Sequence, residues 1–444
     1  MTLGMKEHPL RRAVSAEVHA RPFMHLQPSE RATHLAMLSG EEGRTADRAH
    51  VARLCQHYGA PPPADGADFH LVDLGPFRLR WERHTEFSSY SFLAREAAPL
   101  RDDGRIGRFE HPVIERVPRD WLAQLPGSLL VGVHLELEAA DLPEVALEEL
   151  PQLLGIENFA GTAVSGGAAT AYFNFSINED GFGRILVRDH SLRPRQAGRL
   201  VQRLFEIETY RTMALLAFPT ARRHVGDLSR LGDELTAVTQ ALSEAAGAVD
   251  EQALLDRLTA VSAEIEKLSA ETSYRFGAAR AYNALVLKRV AELREGRIEG
   301  LQTIGEFMDR RLTPAMRTCE AVAERLDSLA NRVARTSQLL RTRVDIHLEA
   351  QNRDLLRSMD RRARLQLMLQ ETVEGLSVAA ITYYGVGLVH YLAEGLEAGG
   401  LHLPTSLVTG IAVPVVAGLC WIGLRRVRRQ LAERAGSPAD RHGE

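Results

Sequence analysis

The sequence predicts an α+β domain that gives way to long coiled-coil-like helices and ends in a two-helix transmembrane hairpin. Three observations carry that reading. Up to Phe218, short alternating apolar runs are punctuated by proline and glycine, as strands and their turns are. After Pro219 no proline occurs until Pro314, and apolar residues recur in steps of three and four, the rhythm of packed helices. Near the C-terminus the spans 375–393 and 404–424 carry no Asp, Glu, Lys or Arg, and each is close to the ~20 residues a helix needs to cross bilayer hydrocarbon. The expected division is an α+β domain over 1–218, a helical hairpin and stalk over 219–374, the two spans over 375–424, and a basic, disordered tail over 425–444.

Taken in order, the runs 69–74 and 77–87 are separated by Gly75 and Pro76. The second alternates, with Phe77, Leu79 and Trp81 on one face and Arg78, Arg80, Glu82, His84 and Glu86 on the other, which predicts one strand with one buried face. Another strand is expected over 129–138. The runs 170–177 and 183–188 predict a hairpin turning at Asp180 and Gly181, a pair suited to positive φ. A helix over 194–217 sets Leu200, Leu204, Ile207, Met213 and Leu216 near one stripe and so should cover a sheet face.

Beyond Pro219 strand signals vanish. Leu228, Leu231, Leu235, Val238, Leu242, Ala245 and Val249 form one heptad series, and Leu254, Leu258, Val261, Ile265 and Leu268 form a second after a break at Gly247 and Asp250. An antiparallel pair of helices satisfies both. A third helical stretch over 274–312 is interrupted by Gly296, Gly300 and Gly305, and Thr313 and Pro314 suit the start of a last long helix. From 315 to 374 there is neither Gly nor Pro, while Cys319, Val322, Leu326, Leu329, Val333, Thr336, Leu340, Val344, Leu348, Leu355 and Met359 keep one apolar stripe. At 1.5 Å per residue, about 80 residues of helix reach on the order of 120 Å. Such a stripe has to be buried against the preceding helices or another copy of the chain, so a homo-oligomer is expected.

Arg357, Arg361, Arg362 and Arg364 precede the first span and Arg425, Arg426, Arg428 and Arg429 follow the second, whereas the connecting loop has Glu394 and Glu397 and no cation. The positive-inside rule then puts both ends in the cytoplasm, at the inner (plasma) membrane. The first residues, MTLGMKEHPLRR, lack the apolar core of a signal peptide, so the N-terminal bulk is expected to stay cytoplasmic. A formal net charge of -4 gives no footprint for nucleic acid, and none is expected as a partner. Lys6, Lys267 and Lys288 are the only lysines among 54 basic residues, a skew best read as coding bias. Cys55, Cys319 and Cys420 are far apart and match no zinc or CxxC spacing, so neither a disulfide framework nor structural zinc is expected.

For chemistry, Glu82, His84 and Glu86 stand about 6.8 Å apart on one strand face. Two carboxylates and an imidazole can hold a divalent cation or run acid/base chemistry, while the plainer reading is a solvated face paired with Arg78 and Arg80. If a cation binds there, the carboxylates should draw the His84 pKa upward in the free protein, and binding should release that proton. Glu17, His19 and Arg21 repeat the alternation near the N-terminus and make a second candidate ligand or metal-binding group. His134 and Glu136 are weaker candidates, since a lone histidine on a strand is usually packing or surface. Ser165, Gly166 and Gly167 lack phosphate-loop spacing, and there is no GxSxG, HExxH or triad-like set, so no catalytic residue or cofactor is named and binding rather than catalysis is expected. Within the spans the polar residues are hydroxyls, tyrosines and His390, without a carboxylate or arginine that would mark a proton relay. Ser377, Thr382 and Tyr384 are the candidate pore-lining residues should first spans of several copies surround a path, and Pro414 with Gly410 and Gly418 predicts a kink and close packing.

Several segments carry a family resemblance: HPLRRAVSAEVHARPF from His8, WERHTEF from Trp81, GRLVQRLFEIETYR from Gly198, LLRTRVDIHLEAQNRDLL from Leu339 and LQETVEGLSVAAITYYGVGLVHYL from Leu369. Together they resemble the domain-of-unknown-function family DUF3422 of bacterial membrane-anchored proteins, over nearly the whole chain. The resemblance implies no defined activity or catalytic residue. The order of parts is also similar to CorA-type magnesium transporters, in which a Gly-Met-Asn motif ends the first span; here Tyr384, Gly385, Val386 and Gly387 stand nearby, and the asparagine has no counterpart. The leading expectation is an oligomeric cytoplasmic binding or scaffold protein tethered to the membrane. The alternative is a CorA-like channel or divalent cation transporter without that motif.

Overall fold

The structure, a computed structural model, describes residues 7–17, 21–40, 43–101, 106–244, 248–398 and 404–435. It separates into two compact units, Met1–Gln338 and Leu339–Glu444. In the first, a short helix α1 (Arg11–Glu17) precedes strand β1 (Glu30–Leu38) and helix α2 (Arg44–His57). Strands β2 (Phe69–Asp73), β3 (Arg78–Arg83) and β4 (Phe87–Ala94) follow, then a 3-10 turn over Val113–Arg116, helix α3 (Arg119–Ala123) and strand β5 (Ser128–Ala139). Helix α4 (Leu150–Leu154) leads to β6 (Ala160–Val164), β7 (Ala169–Phe173) and β8 (Gly183–Asp189). Among the described residues these join one sheet in the order β2-β3-β4-β1-β5-β8-β7-β6, antiparallel except for the parallel pair β5–β8.

The expected α+β class holds, and several elements differ from expectation in informative ways. The run 77–87 is two strands, because the chain reverses at Thr85 and Glu86 in a tight hairpin closed by His84 N–H donating to the Phe87 carbonyl at 2.8 Å. No glycine or positive φ is used there, so the sequence carries no turn signal. Strand β1 was not anticipated at all; it is central, nearly every residue is buried on both faces, and alternation is therefore absent. The turn at Gly181 is present, with φ 85 and Asp180 Oδ1 accepting from Phe182 N at 2.9 Å.

One sheet face is apolar, as the alternation requires. Leu35, Met37, Leu79, Trp81, Tyr90 and Phe92 pack against Val51, Leu54 and Cys55 of α2 and Trp121 of α3. Each large side chain buried there contributes about 1.5–3 kcal/mol. His50 and Trp121 lock this layer reciprocally: His50 Nε2 lies 2.9 Å from the Trp121 carbonyl, and Trp121 Nε1 donates to the His50 carbonyl at 2.9 Å. At the mouth of α2, Asp47 is wholly buried, its Oδ2 accepting from Ser39 Oγ at 2.8 Å and Ser88 Oγ at 2.6 Å and lying 3.5 Å from Arg83 Nη1.

The opposite face of β3, β4 and β1 is polar, and it is not solvated. Helix α5 (Pro194–Leu215) lies over it, leaving Arg80 4 % and Glu82 6 % exposed, which corrects the reading of these residues as a solvated strand face. Leu200, Leu204, Ile207 and Met213 of α5 are buried as expected. The segment 21–26 crosses the start of this helix, where Leu26 N–H donates to the Pro194 carbonyl at 3.1 Å. Gly198 makes that crossing possible, since a Cβ there would sit 1.7 Å from the Met24 carbonyl oxygen. Gly198→Ala should therefore push the segment outward and cost about 1–3 kcal/mol, as overpacking does. A thermal melt of the variant checks this, and an unchanged midpoint would show that the crossing is not tight.

Two long helices come next, α6 (Phe218–Glu244) and α7 (Ala248–Leu293). Their stripes, Leu228, Leu231, Leu235, Val238 and Leu242 in one and Leu254, Leu258, Val261, Ile265 and Leu268 in the other, are buried as the heptads predict. Ala245 of the first series and Gly247 of the anticipated break lie outside the described residues, and Asp250, the other residue of that break, lies within α7. Helix α7 runs on to Leu293, and then the chain does what the sequence did not foretell: β9 (Gly296–Arg297) adds to β6 and completes the sheet edge. Helix α8 (Ile304–Arg311) begins with a capping box, Thr303 Oγ1 accepting from Glu306 N at 3.1 Å and Glu306 Oε2 from Thr303 N at 3.0 Å.

The last helices are α9 (Thr313–Ala398) and α10 (Thr405–Ala435). Along α9, Cys319, Val322, Leu326, Leu329, Val333 and Thr336 are buried, whereas Leu348, Leu355 and Met359 on the continuing stripe are exposed. In the second unit the two helices touch closely: a Cβ on Gly385 would come within 2.8 Å of Val416 Cγ1, and His390 Nδ1 lies 3.1 Å from Thr409 Oγ1. Both are long and apolar enough to cross a membrane by length and composition. Pro414 lies inside α10, as anticipated.

Candidate functional site

The polar sheet face beneath α5 holds a partly open cavity of about 30 Å³, lined by His34 of β1, Arg80 and Glu82 of β3, His84 of the β3–β4 turn, and Thr209 and Tyr210 of α5 among others. Each strand residue points there for the same reason. His34, Ser91 and Arg80 stand side by side across the ladder, because His34 pairs with Ser91 and Ser91 with Arg80.

Arg80 is the centre of charge. Its guanidinium lies over the Phe69 ring, 5.2 Å from the centroid, and its Nη2 is 2.7 Å from Glu82 Oε2. That approach is an ion pair whose angles make no hydrogen bond, so Nε and Nη2 are both buried without a hydrogen-bond partner. Glu82 is shared: its Oε1 is 3.4 Å from Arg21 Nε and 3.9 Å from His84 Nε2. His34 is held between Ser91 Oγ at 2.9 Å and Thr209 Oγ1 at 3.2 Å, with its ring stacked on Phe205. Burial drives its pKa down to about 3, helped by the Arg80 charge and His84. The imidazole is thus neutral at physiological pH.

His84 corrects an expectation. Its ring stacks on Phe87 at 4.2 Å and meets Tyr210 edge-on, and burial pulls its pKa down to about 4. Glu82 does act upward, but Arg21, Arg80 and Arg83 reinforce the downward effect, so the carboxylate does not raise this histidine as anticipated. Glu86 is turned elsewhere: Arg275 Nη2 of α7 holds its Oε2 at 2.9 Å, and Tyr282 bonds to it. Glu82, His84 and Glu86 therefore do not converge as one ligand set, and among the described residues no group of three or more His, Cys, Asp or Glu side chains is placed to hold a metal ion. Of the N-terminal trio, Arg21 reaches Glu82. Glu17 ends α1 rather than lying on a strand, and its side chain and His19 lie outside the described residues.

On the other sheet face His134 and Glu136 are buried, in keeping with packing. His134 Nδ1 is 2.9 Å from Thr33 Oγ1 and its ring stacks on Phe182, with burial bringing its pKa to about 4. Burial raises Glu136 to about 7, against the Phe109 amide and Arg31, which favour its charged form. In the second unit the Ser377 and Thr382 hydroxyls donate to the Val373 and Val378 carbonyls of their own helix at 2.8 and 2.7 Å, and the Tyr384 ring is exposed.

His34, Thr209 and Tyr210 were not singled out from the sequence, and Arg80 entered only as a partner for the acids. A shared signal did exist. Glu82, His84 and Phe87 come from WERHTEF and Phe205, Glu206, Thr209 and Tyr210 from GRLVQRLFEIETYR, so two segments that carry the family resemblance meet at this cavity, and Arg21 of a third, HPLRRAVSAEVHARPF, reaches Glu82. No curated protein matches the chain. A family model described as a protein of unknown function, DUF3422, matches residues 6–431. The chain belongs to the DUF3422 family.

Proposed function

We propose that this protein is anchored in a membrane by α9 and α10, exposes its sheet unit to the cytoplasm, assembles as a homo-oligomer and acts by binding. One observation carries the anchoring. Leu376, Ile381, Leu388, Leu407, Ile411 and Leu419 are each more than half exposed on helices whose apolar spans bear no charged side chain. An apolar surface that extensive is unfavourable in water and costs nothing against lipid tails. Trp421, with the Arg425 guanidinium 4.1 Å from its ring centroid, suits the headgroup boundary at the end of the second span. Oligomerisation is supported by the exposed Leu348, Leu355 and Met359, which prolong a stripe that is buried nearer the start of α9.

Membranes from cells expressing the full chain, washed with alkaline carbonate, should retain the protein in the pellet. Protease added to inverted vesicles should remove the sheet unit, and protease added to right-side-out vesicles should leave it. Release by carbonate would refute the anchor, and the opposite protease pattern would refute the orientation. Light scattering of the detergent-solubilised chain should give more than one copy; a folded monomer would remove the oligomer from this reading.

A further inference from the structure

We propose that the first membrane span pairs with the first span of a second copy through the side of α9 that faces away from α10, with Tyr384 at the centre of the contact. This contact presupposes the anchor and the homo-oligomer proposed above and specifies the surface that joins the copies. Along the span, residues that are at least partly covered recur at Val378, Thr382, Gly385, Val389 and Ala393, in steps of three and four. That ladder is the side turned to α10, since a Cβ on Gly385 would come within 2.8 Å of Val416 Cγ1. Leu376, Ala380, Tyr384, Gly387 and Tyr391 each lie two residues from a member of the ladder, about 200° around the helix, and so line the opposite side. Nothing in the chain covers that side: Leu376 is 74 %, Tyr384 75 % and Tyr391 72 % exposed, and a Cβ on Gly387 would meet nothing within 4 Å.

The chemistry of this side favours a second copy over lipid. Tyr384 stands midway along the span 375–393, nine residues from either end, which is about 14 Å from each boundary of the hydrocarbon. A tyrosine facing lipid belongs at headgroup level, where its hydroxyl reaches water. At mid-span the phenol meets tails that offer no acceptor, and another polypeptide is what can supply one. Copies that enter the bilayer in the same direction have parallel first spans, and a two-fold axis between them sets like residue against like. The Tyr384 hydroxyl then meets its own counterpart, and the small Ala380 and Gly387 on either side let the two backbones approach. The same side is continuous with an interface the chain already forms. Steps of eleven residues, three helical turns, lead from Leu329 and Leu340, both buried, to Val373 and Tyr384. Leu329 is covered by α6, its Cδ2 lying 3.7 Å from where a Cβ on Gly232 would stand. One side of α9 is therefore covered by its own chain near the start of the helix and open within the span.

Disulfide trapping in membranes tests the contact, on the full chain with Cys420→Ser; Cys55 and Cys319 are buried. Ala380→Cys and Gly387→Cys, each oxidised with copper phenanthroline, should run as linked dimers on a non-reducing gel at several-fold the yield of Val378→Cys and Val389→Cys, whose thiols face α10. Both test positions spare the phenol, and either one suffices if the other variant does not accumulate. Equal linking at all four positions, stronger linking at 378 and 389, or none at 380 and 387 would overturn the proposal. Should that happen while light scattering still gives more than one copy, the oligomer stands on a different surface. A monomer by light scattering would remove the oligomer and this contact together, and carbonate release of the same membranes would remove the anchor beneath both.

Discussion

Arg83→Met is expected to destabilise the sheet unit by about 3–5 kcal/mol, the cost of stranding a buried charge by removing its partner. Asp47 is fully buried, and its carboxylate ties the first turn of α2 to Ser39 after β1 and to Ser88 at the start of β4. Arg83 closes the cluster from the end of β3, donating to Ser39 Oγ at 3.0 Å and to the Gly40 carbonyl. Without it the carboxylate keeps two hydroxyl donors and has no cation, while the Gly40 carbonyl loses its donor. The double variant Arg83→Met with Asp47→Leu should recover much of the loss, because removing both charges also removes their desolvation. Thermal or denaturant midpoints of the single and double variants measure this, and a single-variant loss below about 1 kcal/mol would mean that water reaches Asp47.

Acid should destabilise the same unit over a defined window. His34 has a pKa of about 3, and His50, His84 and His134 of about 4, each lowered first by burial from an ordinary value of 6.5. Below pH 6.5 the unfolded chain takes up protons that the folded chain refuses, so stability is full above 6.5, falls as pH drops toward 4, and levels beneath the folded values. Glu136 acts in the opposite sense: its folded pKa of about 7 makes its contribution full below about 4.5 and lost as pH rises through 7. Burial also raises Glu30, Asp189 and Glu295, which act with Glu136, and lowers His70, which acts with the other rings. The four imidazoles carried to about 3 or 4 are displaced furthest, so the expected net change on acidification is a loss of stability. His84, with a fifth of its side chain exposed, contributes least. Melting midpoints at pH 7, 6, 5 and 4 should descend steadily; a flat profile would show that these rings are hydrated.

What was legible in the sequence follows from what periodicity can report. Alternation separated Phe77, Leu79 and Trp81 from Arg80 and Glu82 correctly, because opposite sides of a pleat need different neighbours. It does not say whether the second side is covered, and α5, more than a hundred residues later, is what buries Arg80 and Glu82. Strand β1 defeated the same method because both of its faces are covered, and β9 because two residues have no period. The candidate site shows the same limit. Glu82 and His84 do lie at the cavity, yet His34 and Tyr210 reach it from other elements, and only the fold brings these elements together. Glu86, two residues from His84, is carried off by a turn that has no glycine to announce it.

The two-residue strand β9 also sets an order of assembly. Thr162 of β6 donates to the Gly296 carbonyl across 134 residues of chain, the Ser165 amide reaches the Leu293 carbonyl, and Gln302 accepts from the Gly161 amide. Until the ribosome has delivered those residues, β6 is a naked template whose amides and carbonyls are free to recruit a strand from another nascent chain. The helices α6 and α7 then act as a delayed tether that brings the cap to its own molecule at high effective concentration, ahead of any competitor in solution. A chain cut after α5 keeps most of the sheet and forfeits this protection, so its hazard is aggregation rather than loss of the apolar core.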